Sequence, residues 1–401
     1  MDLKSGYPLW PVNDGLIHTY PRLDGDARCD VAIVGGGITG ALVAHHLIEA
    51  GFDALVVDRR DVGWGSTAAS TALLQYEIDV PLVELIEMRG RDHANRAYLA
   101  CRDAIGKLER VAKASSGSFG FERKKSLYLA TGKRDRRLLR AELEARHAIG
   151  IRVDWLDEED ITARFPFRRP AALLSHDAAQ VDAYGFAHAL FGDAARRGLR
   201  VFDRTTVMDI DATARGVTLV TADKCLVRAR YLVFATGYET RDFLDDRVAH
   251  LASTYAFASE PLAPIAGWGE DHCMIWEHAH PYLYLRTTAD GRVIVGGEDE
   301  DFSNPARRDR LLAAKTAKLA ARFRALFPDV ELEVGFSWAG TFGETRDGLA
   351  YIGTHPDWPS SYFALGYGGN GITYGIIAAE IIRDALTGQA NDQAELFCFG
   401  R

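Results

Sequence analysis

Asp30-Val-Ala-Ile-Val-Gly-Gly-Gly-Ile-Thr-Gly-Ala-Leu-Val-Ala-His-His-Leu47, followed shortly by Leu55-Val-Val-Asp58, is the stretch that decides the fold. Val31 to Val34 form the short apolar run of a strand buried in a parallel sheet. Gly35-x-Gly37-x-x-Gly40 is a turn, and Ala41 to Ala50 continue as a helix that Gly51 stops in the C′ position. Gly35 permits the tight turn, Gly37 lets the backbone approach a pyrophosphate, and Gly40 lets helix and strand pack closely. The free N–H groups and the positive end of the helix then favour phosphate. Asp58 ends the second strand, where a carboxylate accepts hydrogen bonds from ribose hydroxyls, with Arg59 and Arg60 beside it. Strand, turn, helix, strand and acid together predict a bound dinucleotide.

The chain has 401 residues, 47% of them hydrophobic and 26% charged, which is the composition of a globular protein with two or three domains' worth of core. A net charge of −9 and the lack of a Lys/Arg stripe with interleaved aromatics exclude a nucleic-acid partner. The N-terminus lacks signal-peptide character and no stretch has the length of a membrane span, so a cytoplasmic location without a membrane span is expected. The five cysteines, at 29, 101, 225, 273 and 398, are scattered without CxxC or Cys/His spacing. No disulfide framework and no metal site is expected.

Outward from the first unit, residues 1–25 read as an irregular leader. The segment Val62 to Thr71 is rich in small residues and can lie close to a ligand. Leu82 to Lys113 and Arg136 to Ile149 carry helical periodicity, with a strand at Ser126 to Thr131 between them. A helix from Ala183 to Arg197 is stopped by Gly198, and short strands follow near Val201 and Val207. A hairpin-like pair spans Val217 to Val227, ahead of the apolar run Tyr231-Leu-Val-Phe-Ala-Thr-Gly237. Extended segments are expected at Thr254 to Ser259, Pro281 to Arg286 and Arg292 to Gly297, the last two joined through Asp290-Gly291. Helices follow at Arg307 to Phe327 and Thr373 to Leu386, the second opened by a glycine-rich turn, Gly366 to Gly371, whose N–H groups favour anionic charge.

Three separated segments carry a family resemblance: Val34-Gly-Gly-Gly-Ile-Thr-Gly40, Phe234-Ala-Thr-Gly-Tyr238, and near the C-terminus Trp338-Ala-Gly340 with Thr345-Arg-Asp-Gly-Leu-Ala-Tyr-Ile-Gly353 and Ala364-Leu-Gly-Tyr-Gly-Gly-Asn-Gly-Ile-Thr373. Gln180-Val-Asp182, Ser259-Glu-Pro-Leu262, Tyr282-Leu-Tyr-Leu-Arg286 and Arg292-Val-Ile-Val-Gly-Gly297 add to it. With these the chain resembles the FAD-dependent D-amino acid oxidase, glycine oxidase and sarcosine oxidase (DAO) family. The resemblance implies an α/β protein with a Rossmann-like FAD-binding domain at 26–80, 182–245 and 336–398. A discontinuous α+β substrate domain with a large, mainly antiparallel sheet is implied at 81–181 and 246–335. It implies FAD as cofactor, held by Gly35, Gly37, Ile38, Thr39, Gly40, Asp58 and Arg59, by Gly65, Ser66, Thr67, Thr71 and Ala72, by Val207, Ala235, Thr236 and Gly237, and by Gly340, Gly368, Gly369, Asn370, Gly371, Ile372 and Thr373. The final helix is implied to point at the flavin pyrimidine. No Cys or His stands where sarcosine oxidases attach flavin, so the FAD is expected to be non-covalent.

The activity so implied is oxidation of a CH–NH bond in a small amine or N-substituted amino acid by hydride transfer to flavin, which oxygen or another acceptor reoxidises. A dehydrogenase of a hydroxylated substrate and a flavin-binding or electron-transfer subunit of a larger complex are the alternatives. Alternation puts Tyr282, Tyr284 and Arg286 on one face of their strand. Arg286 is then either a bidentate clamp for a substrate carboxylate, with Tyr284 beside it, or a partner in a structural ion pair. In glycine and D-amino acid oxidases the segment after Trp-Ala-Gly carries a carboxylate-binding arginine; here that position aligns with Phe342. Glu344 is either the group facing an amine's positive charge or a surface carboxylate before a turn. Gln75 reads as a group reaching the flavin N5 side or as an ordinary polar residue. His278 and His280 are candidate acid/base groups or ordinary histidines. Asn370 is expected in a left-handed turn between Gly369 and Gly371, and Trp338 as core or as an aromatic wall.

Overall fold

The computed structural model describes residues 2–244, 248–279 and 281–401. The apolar run before the glycine turn becomes the strand Ala27–Val34, at the centre of an eight-stranded sheet ordered Tyr351–His355, Trp358–Leu365, Leu226–Phe234, Ala27–Val34, Ala54–Val57, Arg200–Phe202. Every pairing in that order is parallel except the first, between Tyr351–His355 and Trp358–Leu365. A strand buried on both faces has no alternation, and Ala54–Val57 is buried at every position. The antiparallel strands Val207–Thr213 and Gly216–Thr221 extend the sheet from Leu226–Phe234. Helix Ile38–Glu49 packs against helices Ala183–Arg196 and Gly371–Thr387. Most of Gly371–Thr387 is buried, as its near-continuous apolar sequence requires.

A second, ten-stranded sheet runs Lys4–Gly6, Val334–Glu344, His250–Ser259, Val293–Glu300, Leu283–Thr287, Met274–His278, Glu122–Ala130, Ala172–Gln180, Leu73–Gln75, with Val153–Leu156 also on Ala172–Gln180. It is antiparallel except where Met274–His278 meets Glu122–Ala130. Helix Pro305–Leu326 buries Leu319, Phe323 and Leu326 in the core beneath it, where Phe327 stacks on Trp268 at 4.6 Å between ring centres.

Three expectations change. Residues 1–25 are not wholly irregular: Lys4–Gly6 pairs with Trp338–Gly340 and Leu9–Asp14 is helical, because Leu9 and Trp10 bury their side chains. The long helical stretch from Leu82 is two helices, Leu82–Arg89 and Arg91–Ala114, broken at Gly90, whose φ of 82° lies outside the helical region. A boundary at residue 336 would cut the strand Val334–Glu344, which pairs along its length with His250–Ser259.

Candidate active site

A cavity of about 570 Å³ opens between the two sheets, and the three separated sequence segments meet in its wall. Gly35, Gly37, Ile38 and Thr39 come from the first turn, Asp58 and Arg59 from the end of the second strand, and Ser66, Thr67, Thr71 and Ala72 from the small-residue segment. Val207, Ala235, Thr236 and Gly237 follow, then Gly340, and the last turn contributes Gly368 through Thr373. Gly40, Gly65 and Arg286 are not in the wall. Gly40 serves packing instead, since a Cβ there would land on the Gly35 carbonyl. Gly65 precedes the short helix Ser66–Ala69 as its cap residue.

Gly35 has φ of 118°, and a Cβ on it would collide with the Ala235 carbonyl, so the turn is pressed against the Phe234-Ala-Thr-Gly segment. A Cβ on Gly37 would come 2.9 Å from Thr67 Oγ1, which itself accepts the Ile38 N–H at 3.0 Å. Asp58 is fixed by two backbone donors, Gly36 N–H at 2.6 Å and Arg60 N–H at 2.7 Å. Burial raises its pKa against those two bonds and the neighbouring arginines. Arg59 and Arg60 both pair with Glu239, Arg60 through two bonds of 3.0 and 2.7 Å. Glu239 had no signal in the sequence, because its partners are close only after the two strands align.

Asn370 is not left-handed: its φ is −101°, and the positive φ, 72°, belongs to Gly368. The reason is a side-chain tie. Asn370 Nδ2 donates to the carbonyls of Gln75 (2.8 Å) and Glu77 (3.0 Å), and Thr373 Oγ1 donates to Gln75 at 3.2 Å. Asp79, at the end of the same segment, accepts the Gly369 N–H at 3.1 Å. Part of the anion-seeking character expected of this turn is therefore met by a carboxylate of the chain itself.

Arg286 is not a substrate clamp in this structure. Its guanidinium is buried, donates to the carbonyls of Ala72 (2.8 Å) and Val181 (2.9 Å), and lies 5.3 Å from the Trp10 ring centre. Ala72 holds a positive φ of 53°, and Arg286 anchors that strained residue. Burial lowers the Arg286 pKa to about 10.

Tyr284, Glu344 and Gln75 are in the wall. Burial pushes the Tyr284 hydroxyl up to about 12. Gly296 stands opposite Tyr284 in the sheet, and a Cβ on it would strike the tyrosine ring. Gln75 Nε2 donates to Ser126 Oγ at 2.9 Å. Phe342 and Trp338 are wall residues too, and Trp338 Nε1 donates to Ala69 at 2.8 Å. His278 lies outside the wall, bonded to the Tyr128 hydroxyl at 2.5 Å; His280 lies outside the described residues. The sequence reading missed Asp79, Asp299, Tyr238 and Trp276, all wall residues. Tyr282, which strand alternation puts on the same face as Tyr284, is in the wall as well, whereas Asp79 and Asp299 enter from irregular or strand-end positions.

The residues present fit FAD. The glycine turn leaves backbone rather than side chains against the cavity, Ser66 Oγ is a buried hydroxyl in the wall with no hydrogen-bond partner, and Asp58 is held at the strand end. The described wall contains no Cys or His to which a flavin could be joined. Among the described residues no His/Cys/Asp/Glu group is arranged to hold a metal, and no helix is long and apolar enough to cross a membrane.

Comparison with known proteins agrees with this geometry. The family model described as DAO, FAD dependent oxidoreductase, matches residues 30–385. The chain is 26% identical to glycine oxidase of Geobacillus kaustophilus over 378 residues, covering 90% of this chain and 93% of the relative. It is 25% identical to gamma-glutamylputrescine oxidoreductase of Escherichia coli, covering 92% and 86%. Among solved structures, the glycine oxidase of Geobacillus kaustophilus superposes with a TM-score of 0.78 at 23% identity, over 94% of this chain and 99% of that one. L-proline dehydrogenase from P. horikoshii gives 0.76 at 17% identity, over 93% and 97%. The chain belongs to the DAO family of FAD-dependent oxidoreductases and is an enzyme of that family.

Proposed function

We propose that this enzyme oxidises the CH–NH bond of a small amine or N-substituted amino acid by hydride transfer to a non-covalently held FAD. Bound FAD supplies the two-electron acceptor; the chain supplies placement, exclusion of water and electrostatics. The relatives named for amine and amino-acid oxidation support the reading. The observation that carries it is the chemistry of the cavity away from Asp58. Tyr282, Tyr284, Trp276, Phe342, Glu344 and Asp299 form that part of the wall, and the only described cations in the whole wall are Arg59 and Arg60, paired with Glu239. A phosphorylated alcohol would require basic groups there. An aromatic and acidic surround suits an amine nitrogen.

The test is anaerobic mixing of the FAD-loaded enzyme with amines, N-methyl amino acids, hydroxy acids and glycerol phosphate, followed by flavin absorbance. Bleaching by members of the amine set is expected. Bleaching by hydroxylated compounds alone would overturn the reading.

A further inference from the structure

We propose that the acidic end of the cavity takes an amine with at least two positive charges and no carboxylate at the reacting carbon, in its simplest form a short diaminoalkane. The proposal rests on the amine-oxidising reading above and names its substrate class.

Asp79, Asp299 and Glu344 reach the same cavity from three places: the segment after Leu73–Gln75, the end of Val293–Glu300, and the end of Val334–Glu344. Among the described residues no cation stands with them at this end of the wall. Asp79 is met by the Gly369 N–H, while Glu344 and Asp299 make no ion pair among the described residues. The nearby basic side chains are committed elsewhere. Lys318 and Arg322 hold Glu298, at 2.5 and 2.8 Å, and Arg146 holds Glu77 and Glu142, at 3.4 and 2.9 Å. A second observation points the same way. Asp299 Oδ1 and Thr254 Oγ1, both buried in wall residues, have each other as hydrogen-bonding neighbours, a contact of poor geometry that leaves acceptor capacity on both. A ligand rich in N–H donors would complete them.

The groups facing these carboxylates make the field cumulative. Burial, with the charges of Glu344, Asp79 and Glu298 around it, raises Asp299 to about 7 against the opposing hydrogen bond of the Thr254 hydroxyl. Burial, with Glu344 nearby, raises Asp79 to about 6, against the Gly369 N–H. Tyr238 and Tyr282 face the same acids, and burial raises both hydroxyls well above the usual tyrosine range, so they stay neutral donors. A dication would replace the missing countercharge and keep the carboxylates ionised, with the Tyr282 and Trp276 rings adding cation–π contacts. The carboxylate of an α-amino acid would meet like charges at this end. Phe342, at the position aligned with the family's arginine, has no charge to offset that repulsion.

The test is anaerobic calorimetry of the FAD-loaded protein with a bis-guanidinobutane, whose charges persist at neutral pH, against glycine and N-methylglycine. The dication is expected to bind at least about ten-fold more tightly, and Glu344→Gln to weaken it roughly ten- to hundred-fold, the range for one charge-assisted contact. Wild-type binding near neutral pH is expected to release protons, seen as a heat that changes with the buffer's ionisation enthalpy. Equal affinity for the zwitterions, an unchanged Glu344→Gln constant, or no proton release would each overturn the proposal. If Glu344→Gln does not retain FAD, Asp299→Asn and the wild-type proton release decide. Flavin bleaching by α-amino acids but not by diaminobutane overturns this inference and leaves the amine-oxidising reading standing. Dication binding with no bleaching by any amine keeps the acidic site and overturns that reading.

Discussion

The Asp79 carboxylate accepts the Gly369 N–H at 3.1 Å, so an ionisable side chain is fastened to the glycine-rich turn that opens the last helix. With Asp299 it gives the cavity two carboxyls raised above the usual aspartate range, to about 6 and about 7. A carboxyl raised on folding opposes the folded state wherever it must ionise. That penalty is complete above the folded pKa and vanishes as pH falls below the unfolded value.

Asp299→Asn should therefore stabilise the ligand-free enzyme at about pH 8 by on the order of 1–2 kcal/mol, and very little at about pH 4. Thermal unfolding of variant and wild type at both values measures it. A difference that does not change with pH would show that Asp299 is ionised without penalty.

Gly37→Val should lose FAD more than it loses fold. The new side chain would collide with Thr67 Oγ1, 2.9 Å from a Cβ, and displace the hydroxyl that caps the Ile38 N–H. Cofactor content per folded protein, by absorbance and circular dichroism, is the readout. Full occupancy would place the pyrophosphate away from this turn.

Arg286→Ala should destabilise the protein by about 2–4 kcal/mol, because it strips two buried carbonyls of their donors. The cost should not depend on substrate charge. A kcat/KM loss confined to carboxylated substrates would restore the clamp that the buried geometry argues against.

The nucleotide-binding half was legible because its chemistry is local: Gly35, Gly37 and Asp58 mark strand, tight turn and a carboxylate at the end of the second strand within one short unit. The Ala235 and Gly368 segments were legible by resemblance. What failed were inferences from alternation alone. Arg286 shares a strand face with Tyr284, but its guanidinium lies outside the cavity wall, against the Trp10 ring. Asn370 between two glycines reads as a left-handed turn, whereas its side chain is recruited by Gln75 and Glu77, almost three hundred residues away. Glu239, Asp79 and Asp299 owe their roles to pairings across the fold, and no local pattern encodes those.

Acid precipitation should release FAD into the supernatant, since the described wall offers no Cys or His for attachment. Yellow colour retained in the pellet would require a covalent link through another residue.

The most direct measurement is a single anaerobic turnover with the best amine of the panel, with reduced flavin counted by absorbance and the hydrolysed product by carbonyl derivatisation. One carbonyl compound and one released amine or ammonia per FAD reduced is the expected result. Reduced FAD without a carbonyl product, or an enzyme whose FAD no amine reduces, would contradict oxidation at a CH–NH bond.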